Sequence, residues 1–87
     1  MKYKIIKIGA SWCGPCRVLD NKLKGFNRCE ITKYDVDDMD DELLDKFKVR
    51  NVPVTLILDE NDNEIAKWVG LFDVNELETK LDELENA

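Results

Sequence analysis

Cys13 and Cys16 are the residues whose type and spacing can most directly do chemistry, because a Cys-Gly-Pro-Cys stretch can close as a small disulfide and reopen as a dithiol. The flanks say where the pair sits. Residues 3–8 form an apolar, β-branched run, and from Arg17-Val18-Leu19 onward the spacing is helical, so a strand hands over to a helix at the cysteines. Pro15 suits the first turn of that helix, where its missing N–H costs nothing and its fixed φ is already helical. Cys13 then lies at the positive end of the helix dipole, facing backbone N–H groups. Both features favour the thiolate, the species that attacks disulfides. Cys13 is therefore expected to be the exposed nucleophile and Cys16, inside the first turn, the resolving thiol. A pair of small buried residues and half of a zinc site are the plainer readings. The zinc reading is short of ligands, since a structural site takes four Cys or His and this chain has three cysteines and no histidine.

The stretch Ser11-Trp12-Cys13-Gly14-Pro15-Cys16 resembles the active-site motif of the thioredoxin family. The run Val49-Arg50-Asn51-Val52-Pro53 and the residues up to Leu58 are similar to that family's segment around its cis-proline, and Trp68-Val69-Gly70 resembles the strand end and glycine bordering its substrate groove. The likeness spans roughly residues 5–84, without the N-terminal strand and helix of a full-length thioredoxin, giving a shortened member near glutaredoxin size. It implies a cis Val52–Pro53 bond facing the disulfide, with Val52 offering its N–H and C=O to an extended substrate strand. Trp12 becomes a docking platform, and Gly70 a place where a substrate backbone can approach. Catalytic Cys13 and Cys16 are thus joined by Trp12, Gly14, Pro15, Val52, Pro53 and Gly70 as substrate-binding residues. On their own, Trp12 reads as a surface aromatic, Pro53 as the start of a strand and Gly70 as a turn glycine.

Lys7 departs from the family pattern. Six residues before Cys13, thioredoxins usually carry a buried aspartate held to relay protons to and from the resolving cysteine. Lys33 matches a family lysine near the same site, so two ammonium groups and no carboxylate are expected behind the disulfide. Both lysines are candidates for tuning the thiols. Either the Lys7 ammonium points at the cysteines and favours their thiolates, or its stem covers apolar surface while its head reaches water.

The positioning elements follow from hydrophobic period. Residues 2–9 read as a first strand, with Tyr3, Ile5 and Lys7 on one face and Lys4, Ile6 and Ile8 on the other. A helix over residues 15–24 carries Leu19 and Leu23, with Gly25 as its stop. A second strand over 30–36 holds Ile31, Tyr34 and Val36, and a second helix from about Asp40 buries Leu43, Leu44 and Phe47. Residues 54–58 read as a strand buried on both faces, 59–63 as a turn and 64–69 as its antiparallel return. The last helix opens on a capping-box-like Asp73 and Glu76 and repeats Val74, Leu77, Leu81 and Leu84 on one face. The acidic runs 35–42 and 59–64 lack the glycine and glutamate of a calcium loop, and read as helix N-terminal acids and a solvated turn. The expectation is an α/β chain, one domain over 1–87 with a minimal β-α-β-α-β-β-α thioredoxin-like fold around a four-stranded mixed sheet.

Composition narrows the function. In 87 residues, 44% hydrophobic and 37% charged, one globular core is expected, and a net charge of −6 argues against nucleic acid and anionic membrane surfaces. No apolar run approaches the ~18 residues of a membrane span, and no signal peptide is read at the start. Three cysteines leave Cys29 unpaired and read as inert, which fits a reducing cytoplasm. The resulting expectation is a monomeric protein disulfide oxidoreductase. Its Cys13–Cys16 couple needs no cofactor, takes electrons from a thioredoxin reductase and passes them to protein disulfides. A glutaredoxin-like thiol transferase fed by glutathione is the first alternative, and a non-enzymatic adaptor binding a protein through Trp12, Val52 and Gly70 the second.

Overall fold

The computed structural model describes residues 3–86. Its elements are β1 (Lys4–Gly9), α1 (Gly14–Lys22), β2 (Ile31–Asp35), a 3₁₀ turn (Val36–Asp38), α2 (Asp41–Phe47), β3 (Val54–Leu58), β4 (Glu64–Val69) and α3 (Val74–Glu85). This is the expected order; residue 2 of the first strand lies outside the described residues. The sheet runs β2-β1-β3-β4, with β1 parallel to β2 and antiparallel to β3, and β3 and β4 forming the hairpin. The two central strands are the most apolar ones. Every residue of β3 is buried, whereas Thr32, Lys33 and Tyr34 of the edge strand β2 are exposed.

Strand alternation divides the core in two. Ile5 and Ile57 pack with Leu19 and Leu23 of the α1 region and Leu77 and Leu81 of α3, while Ile6, Ile8, Val54, Leu56 and Leu58 pack with Phe47 of α2. Hence α1 and α3 cover one face and α2 the other, and Lys7, two residues from Ile5, belongs to the α1 side.

The ends of the elements have local causes. The Asp40 carboxylate accepts the Leu43 N–H at 2.8 Å and that of Asp73 accepts the Asn75 N–H at 2.9 Å, N-caps worth ~1 kcal/mol each. Helix α1 is shorter than expected, ending at Lys22 with Leu23 as its cap, and Gly25 turns the chain two residues later. Val36 leaves the β2 ladder because the Asp35 carboxylate accepts the Asp37 N–H at 2.9 Å and winds the chain into the 3₁₀ turn. Only Phe47 of α2 is fully buried, Leu43 and Leu44 being half-buried. From β4 the Lys67 ammonium donates to the carbonyls of Phe47 and Lys48, each at 3.0 Å. A cation on the carbonyl end of α2 is favourable, and it anchors the loop that leads to Pro53.

Candidate active site

After β1 the chain turns sharply, the Cys13 N–H donating to the Ala10 carbonyl at 3.2 Å and the Arg17 guanidinium holding the Ser11 carbonyl at 3.1 Å. Cys13 is the N-cap of α1, Gly14 the first helical residue and Pro15 the next. Cys13 and Cys16 are disulfide-bonded with Cα atoms 5.3 Å apart, and the Cys16 N–H donates to Cys13 Sγ at 3.2 Å. The first sulfur thus occupies the place where a helix's unpaired N–H groups point, as the spacing requires. Cys13 is not the exposed residue expected from the sequence: it is 5% exposed, against 2% for Cys16. Its sulfur is turned inward to Cys16, and the Val52 carbonyl oxygen lies 3.9 Å away.

The Val52–Pro53 peptide is cis, and the Pro53 carbonyl accepts the Gly70 N–H at 2.8 Å. Gly70 has φ +86°, a left-handed conformation that favours glycine and that brings the end of β4 beside the Pro53 loop. Trp12 is 68% exposed, and its indole N–H donates to the Asp37 carboxylate at 3.3 Å. Trp12, Asp37, Leu44, Val49 and Val52 line an open cleft of about 390 Å³. Gly70 does not line it and reaches the site through Pro53. Its neighbours Val69 and Leu71 are exposed, so apolar surface also borders the Gly70 end. Gly14 and Pro15 are exposed at the helix start, and a side chain on Gly14 would meet no atom within 4 Å.

Behind the disulfide the expectation of two ammonium groups without a carboxylate is corrected. Lys7 is buried, 4% exposed, and its ammonium meets Asp20 of α1, with Nζ 2.9 Å from Oδ1. Lys33 approaches the same oxygen at 3.5 Å from the solvent side, its own side chain 62% exposed. Burial pushes the Asp20 carboxyl up, but the ammonium groups of Lys7 and Lys33 outweigh it and hold the group below the ordinary aspartate range. Asp20, Asp37 and Gly9 are the site residues that sequence reading passed over. For Asp20 a signal existed: it lies one helical turn after Cys16, on the same face.

Cys29 is a free thiol within the α1 and α3 core, and burial, with Glu85 adding to it, pushes its titration up. It is placed to be unreactive, in line with the sequence reading. Among the described residues no group of three or more His, Cys, Asp or Glu side chains is placed to hold a metal ion, and no helix is long and apolar enough to cross a membrane.

Comparison with known proteins places this geometry. The family model described as Thioredoxin matches residues 1–83. The mitochondrial thioredoxin of Bos taurus is 33% identical over 85 residues, covering 92% of this chain and 50% of its own length. The SPbeta prophage-derived thioredoxin-like protein YosR of Bacillus subtilis (strain 168) is 35% identical over 81 residues, covering 93% of this chain and 98% of its own. Among solved structures, the germline-specific thioredoxin Deadhead of Drosophila melanogaster superposes with a TM-score of 0.78 at 30% identity, over 95% of this chain and 81% of that one. The chain spans about half the length of mammalian mitochondrial thioredoxins such as the bovine one. A match running from β1 into α3, on a fold that sets a Cys-Gly-Pro-Cys disulfide against a cis-proline, makes the chain a member of the thioredoxin family.

Proposed function

We propose that this chain is a thiol–disulfide oxidoreductase that reduces protein disulfides. The observation that carries the reading is the Cys13–Cys16 disulfide at the start of α1, with the Cys16 N–H on Cys13 Sγ and the Val52 carbonyl facing it. In the dithiol form the Cys13 thiolate attacks a substrate disulfide, making a mixed disulfide and expelling one substrate thiolate. Cys16 then loses its proton and attacks Cys13 Sγ. The internal disulfide re-forms, the Cys13–substrate bond breaks and the second substrate sulfur leaves, so two electrons have passed to the substrate.

Trp12, Val52 and Gly70, with the exposed Gly14 and Pro15, form the docking surface; the buried Pro53 holds Val52 and Gly70 in place, and the half-buried Val52 offers backbone groups to an extended strand. Family membership supports a thioredoxin reductase as electron donor and a cofactor-free cycle, within a single monomeric domain over 1–87. A reducing compartment such as the cytoplasm suits the free Cys29. The test is trapping: C16S should accumulate mixed disulfides with protein substrates and C13S should not. The reverse pattern would overturn the assignment of Cys13 as attacker, and insulin reduction absent from the wild type in the presence of a dithiol donor would overturn the activity.

A further inference from the structure

We propose that Lys7 and Asp20 form one ion-paired unit that activates Cys16: the Lys7 ammonium stabilises the Cys16 thiolate during the resolving step, and Asp20 is the positioning residue that keeps the ammonium there. The inference rests on the oxidoreductase reading of the Cys13–Cys16 pair.

A lysine in a central strand is costly to bury unless its charge is paired. Lys7 is 4% exposed, and Asp20 is its ion-pair partner among the described residues, at 2.9 Å. Cys16 and Asp20 stand one turn apart on α1, while Lys7 and Gly9 stand two residues apart on the face of β1 beneath that helix. An ideal Cβ on Gly9 would lie 2.9 Å from Lys7 Nζ and 3.2 Å from Cys16 Sγ. The space glycine leaves empty is therefore shared by the ammonium and the resolving sulfur, within the roughly 6 Å over which a charge moves a neighbour's titration. The other groups around Lys7 are Lys33, Tyr34 and Asp35 of β2, Asp38 of the 3₁₀ turn and, directly across β3, the buried Thr55. Lys7, Gly9, Asp20, Lys33, Asp35 and Asp38 line an open cleft of about 380 Å³, so solvent reaches the Lys7 and Gly9 side of the space that Nζ and Sγ share, while Cys16 itself stays 2% exposed. In the resolving step Cys16 loses its proton to solvent and its thiolate bonds to Cys13 Sγ. The bond from Cys13 to the substrate sulfur breaks, and that sulfur leaves with the electron pair.

The test uses C29S protein, so that one thiol signal is removed, and two readouts. With C13S, the pH dependence of iodoacetamide alkylation reports the Cys16 titration. With Cys13 present, reaction with Ellman's reagent forms a mixed disulfide on Cys13, and release of the second thionitrobenzoate reports resolution. K7Q should shift the Cys16 titration to higher pH. A neighbouring charge at this range is worth at least ~1 pH unit, so the thiolate population falls about tenfold, greater nucleophilicity recovers about threefold, and resolution slows about threefold at pH 7. D20N should shift Cys16 the same way because the ammonium is no longer held, and D20E should restore it. G9A keeps every charge but puts a methyl group where Nζ and Sγ meet, and it too should slow resolution. D20N lies at a site about a third exposed, so it tests the unit even if K7Q fails to fold. A shift to lower pH in D20N would make Asp20 a mere opposing charge and overturn the inference. So would unchanged Cys16 titration and release in D20N and G9A with only thermal stability altered. A wild type that reduces insulin while those variants leave Cys16 unmoved overturns this inference alone, whereas loss of insulin reduction in the wild type overturns the oxidoreductase reading.

Discussion

Replacing Trp12 by alanine separates docking from folding, because most of the indole is free to be covered by something else. With 68% of Trp12 exposed, its outward surface is ~170 Å² of a side chain of about 250 Å². An extended peptide lying between Trp12 and Val52 and covering half of that removes about 85 Å² from water, worth ~2 kcal/mol at about 25 cal/mol/Å². If this contact is made with the reacting protein substrate, kcat/KM for insulin should fall about thirtyfold in W12A. Ellman's reagent reaches Cys13 without lying along the cleft, so its reaction should change by no more than about twofold. The Asp37 carboxylate, which accepts the indole N–H, loses only an exposed partner, and thermal unfolding should move little. The assay is the ratio of the two rate constants in wild type and W12A. Equal losses for both substrates would show that Trp12 acts on the cysteines rather than on the substrate, and no loss for insulin would refute its role as a platform.

C29S should keep insulin turnover within about twofold, since Cys29 is buried away from the disulfide. The new hydroxyl in an apolar cluster should still cost ~1–3 kcal/mol in urea unfolding; a large loss of turnover would make the third thiol part of the cycle. Stability should also depend on Asp20 at acid pH. Its carboxyl is held below the ordinary value in the folded chain, so the unfolded chain takes up that proton first as pH falls. The contribution is therefore present above about 3.9 and is lost as pH drops through the folded-state value. D20N should be less stable than wild type at pH 6 and approach it at pH 3, the gap narrowing in high salt because the group is partly solvated. Parallel acid limbs in urea midpoints would show that the ion pair adds no stability.

The elements legible in the sequence are those whose burial is set by their own residues. Strand β3 reads correctly because its run of β-branched residues and leucines, Thr55 included, has nowhere to go but between two layers, and α3 because Leu77 and Leu81 recur on one face. Facing residues of β1 are also correct, since alternation is a property of the strand itself. What failed depended on elements meeting in space. The exposure of Cys13 is set by the bond to Cys16 and by a carbonyl 39 residues away, and the orientation of Trp12 by a 3₁₀ turn that Asp35 imposes beyond β2.

Lys7 shows how far such reading could have gone. Its place on the same strand face as Ile5 meant burial, and a buried ammonium demands a carboxylate. The helix that follows β1 packs on that face through Cys16 and Leu19, so an acid able to reach Lys7 had to stand near them in the helical repeat. Asp20 is the one acidic residue in α1. The choice left open, between an ammonium facing the sulfur and one reaching water, was thus decided by the cost of an unpaired charge and the position of a single aspartate. Gly9 completes the logic: any side chain there would stand between Lys7 and Cys16, so the glycine that ends β1 is what lets charge and sulfur share one space.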